Sequence, residues 1–244
     1  LELRQYINDE IINLFLSGLR KKYDKVHIFD TYFAEKLLDL YKADDDKPDT
    51  THHLDEELFF KHFGQIFYDS NFQRKERCFL DKKVLIFPFV HVKHWLLVVA
   101  VNPLLCTVAN QRTNPFPDHR SGIYIFDSLV GYHKYTPELV ASRFNAAYIA
   151  TYSFIHDIGQ NVTNDAILPN LLKYKDIENF PRQTNLYDCG LYMVLYADYI
   201  AANYDELLKA PDTLRCANRE ELAARAMTFR ADYAAYINAH VINQ

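Results

Sequence analysis

Apolar residues recur along this chain at helical spacing near both ends and as dense short runs in between. From Asn8, the segment NDEIINLFLSGLRKKY sets Ile11, Ile12, Phe15, Leu16 and Leu19 in one stripe. That is the apolar face of a surface helix, with Asn8 or Asp9 as its cap. TYFAEKLLDLYK predicts a second helix capped by Thr31, and LDEELFFKHFGQIF a third, with the acidic loop ADDDKPDTTHH between them. At Val84 the character changes. VLIFPFV and HWLLVVAVN are rich in Val, Ile, Leu and Phe and short enough to be buried strands. IYIFDSL and YSFIHDI predict further strands. Before IYIFDSL, the run NPLLCTVANQRTNPFPDHRSG carries three prolines and many turn residues. A loop of about 20 residues inside a compact domain is usually functional or inserted. PELVASRFNAAYIA predicts a helix with Pro137 in its first turn. LYMVLYADYIAANYDELL predicts one long amphipathic helix, and a last helix runs from about Asn218 to His240. Helices at both ends and strands in the middle describe an α+β domain. With no internal repeat and no linker, residues 1–244 are expected to form a single domain.

Composition narrows the function. A chain of 244 residues, 49% hydrophobic and 15% aromatic, has ample material for a core and is not disordered. Lys and Arg number 27 against 32 Asp and Glu, a net charge of −5, which argues against a nucleic-acid binder working through bulk positive charge. No apolar run reaches the ~18 residues of a membrane span, and residues 1–30 carry no signal-peptide pattern. The start at Leu1 rather than Met leads us to expect a domain of a longer chain. Cys78, Cys106, Cys189 and Cys216 lie far apart with no CxxC pair. They read as reduced thiols, and the expected location is nucleus or cytoplasm. A structural zinc site is not expected, because closed-site Cys/His spacing is missing. His91 and His94 of HVKH, in a strand-like run, would face opposite sides.

Cys189 stands before Gly190 at the first turn of the predicted long helix. Unpaired N–H groups and the helix dipole there favour the thiolate, the reactive form. The commoner fate of a cysteine is a small buried apolar residue, so the nucleophile reading needs partners. A nucleophilic thiol needs a base and a group to orient it. His94 opens a hydrophobic strand and precedes Trp95, the single tryptophan. Asp127 closes IYIFD and, if the two strands are neighbours, can accept the Nδ1–H of His94. Gln183, six residues before Cys189, can aim an amide N–H at a developing oxyanion, with the Cys189 N–H as second donor. Alone, each has an ordinary reading: a strand histidine, a turn aspartate, a solvated loop glutamine. Asp188 is expected to cap the helix or brace the loop. Gly190 permits close approach of a substrate backbone.

Taken together, His-Trp, then Asp, then Gln-x5-Cys-Gly is a specific order. It resembles the Ulp/SENP cysteine proteases, which process the modifier SUMO and remove it from its targets. HW (His94, Trp95), FDSL with Asp127, and QTNLYDCG (Gln183, Asn185, Asp188, Cys189, Gly190) match that family's active-site blocks. YINDEIINLFL resembles its WLND-x-x-I opening, which brings in Tyr6 and Asp9, and VHIFDTYFAEKL its H-x-F-x-T-F-F segment. The resemblance runs from about Leu3 to Ala201. It implies a papain-like fold, a central mixed sheet flanked by helices. It also implies a thiol protease, a hydrolase of the ubiquitin-like conjugation pathway. In that reading His94 is the general base, Asp127 its orienter, Cys189 the nucleophile and Gln183 the oxyanion donor. Trp95, with Tyr6, Asp9 and Gly190, receives the Gly-Gly tail of SUMO. The implied partners are SUMO and SUMO-conjugated proteins, handled by a monomer with no cofactor and no metal, away from nucleic acid and membrane.

Two departures point to one branch. Tyr6 stands where Trp is usual, and Leu186-Tyr187 where Gly-Ser is usual. The branch that trims poly-SUMO chains resembles this chain at both places and in its catalytic-domain insertions. The same site residues would serve a relative acting on NEDD8 or ubiquitin. A clan relative with acetyltransferase activity has no need of Trp95 beside the base, and an inactive modifier-binding module is disfavoured by the intact His94, Asp127, Gln183 and Cys189. Arg4, Arg20, Lys21, Lys22, Lys82 and Lys83 are candidates for a local basic surface.

Overall fold

The computed structural model describes residues 6–33, 79, 82–91, 93–103, 121–129, 174–177, 179–216 and 218–240. The predicted third helix, the loop 104–120, the helix opening at Pro137 and the strand YSFIHDI lie outside these residues, as do Cys78, Cys106 and Arg4.

Helix α1 (Asp9–Lys22) begins where the periodicity begins. Asn8 caps it, its Oδ1 accepting from the Ile11 N–H at 3.1 Å. Asp9 and Glu10 fill the first turn and Arg20, Lys21 and Lys22 the last, each favourable to the helix dipole. Ile12 and Leu16 are its buried residues. The chain then forms β1 (His27–Ile28), a short strand that the hydrophobic pattern does not announce. At the next helical turn the cap is Asp30, which accepts from the Phe33 N–H at 2.9 Å. The predicted cap, Thr31, is instead buried and pairs twice with Asn13 of α1.

The sheet has five strands in the order β1-β2-β3-β4-β5. β3 (His94–Val101) runs antiparallel to both β2 (Val84–His91) and β4 (Gly122–Phe126), whereas β1 is parallel to β2 and β5 (Tyr174–Asp176) parallel to β4. The sheet is therefore mixed. Every residue of β3 is buried, as the unbroken HWLLVVAV run requires of a central strand. Pro88 breaks no pairing with β1, which reaches only Leu85 and Ile86. His91 and His94 are not neighbours in one strand. The chain reverses between them through Lys93, at φ 64, and they become register partners across the β2–β3 hairpin.

The predicted long helix is two: α2 (Cys189–Ala202) and α3 (Tyr204–Lys209), divided at Asn203. α2 is not amphipathic either. From Cys189 to Ala197 every residue is buried, because CGLYMVLYA offers no charged face to water. α2 crosses β3 as the central helix of the core. Its one acidic residue, Asp198, accepts from Lys22 at 2.9 Å, Tyr23 at 2.7 Å and Arg225 at 3.1 Å. These three partners outweigh the burial that would raise the carboxyl's pKa, and hold it low. They join α1, α2 and α4 (Arg219–His240). The structure is thus α+β, a mixed sheet with helices packed against it.

Several of the expected surface cations have structural work instead. Arg20 Nε donates to the Ile28 carbonyl at 2.7 Å, Lys22 serves Asp198, and Lys82 donates to the Asp24 carbonyl.

Candidate active site

Three segments converge at one end of the sheet: the start of β3, the turn after β4 and the start of α2. His94 is the first residue of β3 and Asp127 the first after β4. These strands are hydrogen-bonded neighbours, with Leu97 opposite Phe126. His94 Nε2 lies 2.7 Å from Asp127 Oδ1. The expectation had Asp127 on Nδ1. The pairing runs through Nε2 instead. Asp127 Oδ1 also accepts from the Leu129 N–H at 2.9 Å, which fixes the carboxylate.

His94 is 3% exposed, and burial alone would disfavour its charged form. Hydrogen bonding to Asp127 and then to Cys189 overcomes burial, and the imidazole pKa is raised to about 9. Cys189 is the first residue of α2, and its Sγ lies 3.9 Å from the Lys93 carbonyl oxygen. It is 1% exposed.

Gln183 is not a solvated loop residue. It is 7% exposed, and its backbone N–H donates to the Ser128 carbonyl at 3.0 Å. Its side chain is held at both ends. Ser128 Oγ donates to Oε1 at 2.5 Å, and Nε2 donates to the Asn185 carbonyl at 2.6 Å. A carboxamide nitrogen carries two hydrogens, so one remains beyond that bond. Asn185 also shapes the approach to α2: its Oδ1 accepts from the Tyr187 and Asp188 N–H groups, and its Nδ2 donates to Asp188 Oδ2 at 2.7 Å. Asp188 therefore braces the loop rather than capping the helix. It occupies the cap position with no side-chain cap bond, which leaves the first amides of α2 available to a ligand. Tyr196, two turns into α2 and buried, donates to the Pro181 carbonyl and anchors this loop from beneath.

Gly190 is also required by the packing around it. A Cβ there would lie 3.1 Å from Trp95 Cδ1, 3.2 Å from Ile12 Cδ1 and 3.6 Å from Ile7 Cβ. The missing side chain makes room for Trp95 and α1. Trp95 is buried in the core cluster. The Ile7 contact brings the 6–8 segment against the start of α2, with Tyr6 49% exposed beside it. Leu186 is exposed on the loop before Cys189. Asp9 lies in the first turn of α1, two residues from Ile7. Ser128, Asn185 and Tyr196 had no assigned role in the sequence. Ser128 and Asn185 sit inside the recognised blocks, but only the fold brings either to Gln183.

A hydrogen-bonded Asp-His pair, a buried thiol at a helix N-terminus and a braced amide donor make a site suited to acyl transfer. The model of the Ulp1 protease family, C-terminal catalytic domain, matches residues 5–222. The chain is 24% identical over 204 residues to the ubiquitin-like-specific protease ESD4 of Arabidopsis thaliana, covering 80% of this chain and 32% of that one. It is 25% identical over 213 residues to a probable ubiquitin-like-specific protease 2A of the same plant, covering 83% of this chain and 24% of the relative. It thus spans about a third or less of the length of these relatives. Among solved structures, a de-sumoylating protease superposes with a TM-score of 0.53 at 17% identity, covering 96% of this chain and 85% of the other. The SUMO protease Ulp1 with its catalytic cysteine oxidised to a sulfenic acid gives 0.50 at 15% identity, covering 93% and 80%. With most of its length matched by that model, the chain belongs to the Ulp1 family of cysteine proteases.

Proposed function

We propose that this domain is a SUMO-specific isopeptidase, cleaving after the C-terminal Gly-Gly of SUMO to free it from lysine side chains. The observation that carries the reading is the 2.7 Å pairing of His94 Nε2 with Asp127 Oδ1 at the end of the sheet where Cys189 opens α2, its Sγ 3.9 Å from the carbonyl of Lys93, the residue before His94. The substrate class is supported by the printed descriptions of the relatives, ubiquitin-like-specific and SUMO proteases. The Tyr6 and Leu186-Tyr187 departures support a role in trimming poly-SUMO chains, and both Tyr6 and Leu186 are exposed near the start of α2.

In this mechanism His94 takes the thiol proton of Cys189. The thiolate adds to the carbonyl carbon of the terminal glycine. The carbonyl oxygen becomes an oxyanion, met by the remaining Nε2–H of Gln183 and the N–H of Cys189. Donors of this kind contribute roughly 10²–10³ in rate each. The C–N bond then breaks, the His94 proton passes to the departing lysine amine, and a thioester remains on Cys189. Water, deprotonated by His94, hydrolyses it to release the SUMO carboxylate. Trp95 lies beside the base and against Gly190, a position from which it can close the passage for the tail. Tyr6 and Asp9 flank that passage, and Gly190 acts by seating Trp95. The domain is a single catalytic unit and acts as a monomer. The free thiols of Cys189 and Cys216 fit the nucleus or cytoplasm.

The test is cleavage of a SUMO–lysine isopeptide with its natural tail and with the last two residues changed to Ala-Ala. A tail without side chains passes where any Cβ would clash, so the Ala-Ala substrate should be cleaved at least about 10²-fold more slowly. Equal rates for the two tails overturn the passage and weaken the choice of SUMO.

A further inference from the structure

Gln183 can donate to an oxyanion only if its carboxamide faces the right way. A flipped amide would present its oxygen to the developing negative charge, turning a stabilising dipole into a repulsive one. The orientation in this molecule follows from its two neighbours. The Asn185 carbonyl can only accept, so the NH2 group must face it, and Nε2 is 2.6 Å away. The amide oxygen then needs a donor on its other side, in a setting where water does not supply one. Ser128 provides it: its Oγ lies 2.5 Å from Gln183 Oε1, and the residue is 2% exposed. The Ser128 carbonyl also accepts from the Gln183 backbone N–H at 3.0 Å, so side chain and main chain of Gln183 are fixed by one residue.

We infer that Ser128 is a positioning residue for the oxyanion donor: its hydroxyl locks the Gln183 carboxamide with the second Nε2–H directed away from Asn185. The inference rests on the role of Gln183 given above. It also explains why the turn after β4 matters twice. Asp127 in that turn orients the base, and Ser128, the next residue, orients the oxyanion donor. One rigid strand end thereby sets both groups relative to Cys189. Such support from behind is what holds a reacting constellation to useful tolerance. Ser128 itself touches no reacting atom.

A double-mutant cycle reads this directly, on the whole chain with a SUMO–lysine isopeptide substrate. Ser128→Ala should lower kcat about 10-fold with KM within about 2-fold, as expected for a group felt only in the transition state. Ser128→Thr, which keeps the hydroxyl, should stay within about 3-fold of wild type. In a Gln183→Ala background, Ser128→Ala should cost less than about 2-fold more, because the residue it positions is gone. An undiminished loss in that background overturns the inference, as does a loss confined to KM or no loss at all. If Ser128→Ala does not fold, Ser128→Cys, with a weak S–H donor in nearly the same volume, takes its place under the same criteria. Gln183→Ala alone reports on the underlying reading. An unchanged kcat in that single mutant removes Gln183 as the oxyanion donor, whatever the Ser128 arms show.

Discussion

The proposed chemistry turns on a proton that His94 accepts and returns. Burial disfavours its charge, yet Asp127 and Cys189 keep the ring protonated to about pH 9. In the proposed mechanism the departing amine takes this proton, so activity should fall as pH rises through about 9. Asp127→Asn removes the carboxylate that raises the imidazole. The alkaline limb of kcat/KM should then move to lower pH, toward the ordinary histidine value of about 6.5, with kcat reduced roughly 10²–10⁴-fold. A limb that stays near pH 9 in the variant would mean that another group sets it. Much of this site was legible at the residue scale. Cys189, His94 and Asp127 were readable because each sits at an element boundary, where hydrophobic pattern and reactive side chain meet, and Gln183 because it stands six residues before Cys189. Which imidazole nitrogen meets Asp127 was not legible, since ring orientation depends on where the α2 thiol lies. The work of Ser128 was hidden for a similar reason, because it faces a residue 55 positions away.

At the scale of elements, α2 both carries Cys189, the proposed nucleophile, and forms the middle of the core. Its first turn is crowded, which makes Gly190 the most informative position. In an open helix Gly→Ala gains up to about 1 kcal/mol. Here the new Cβ would press within 3.1 Å of Trp95 and 3.2 Å of Ile12, both buried. Overpacking should win, so Gly190→Ala should lose about 1–3 kcal/mol of stability in a denaturant titration. It should also lower kcat by shifting Trp95 next to the base. A more stable variant with wild-type kcat would show that Trp95 yields freely. The element pattern itself was partly readable. α1, β2, β3, β4 and α4 follow from their runs of apolar residues and caps. β1 and β5, of two and three residues, are too short to carry a period and exist by pairing with strands already formed. The break between α2 and α3 was missed because AANYDE remains favourable to helix on both sides of Asn203. The amphipathic reading failed because α2 is covered all round. The Thr31 expectation failed because Asn13 on α1 claims both its N–H and its hydroxyl.

For the whole molecule, the proposed division of labour is between a sheet end that holds His94 and Asp127 and, through Ser128, Gln183, and a helix that carries the Cys189 thiol. β3 and β4 are paired from Leu97–Phe126 to Val101–Gly122, so His94 and Asp127 emerge from one rigid ladder. α2 is locked beneath them through core packing and through the Asp198 contacts to α1 and α4. A scaffold of this kind can serve any modifier with a Gly-Gly tail, so the identity of the modifier is the central claim still to be measured. The most direct measurement exposes the chain to SUMO, ubiquitin and NEDD8, each bearing a C-terminal electrophile, followed by intact mass and peptide mapping. The account predicts one SUMO adduct per chain, on Cys189, lost in Cys189→Ala and slow or absent with the other two modifiers. Capture by ubiquitin or NEDD8 in preference to SUMO, or an adduct on a different cysteine, would contradict it.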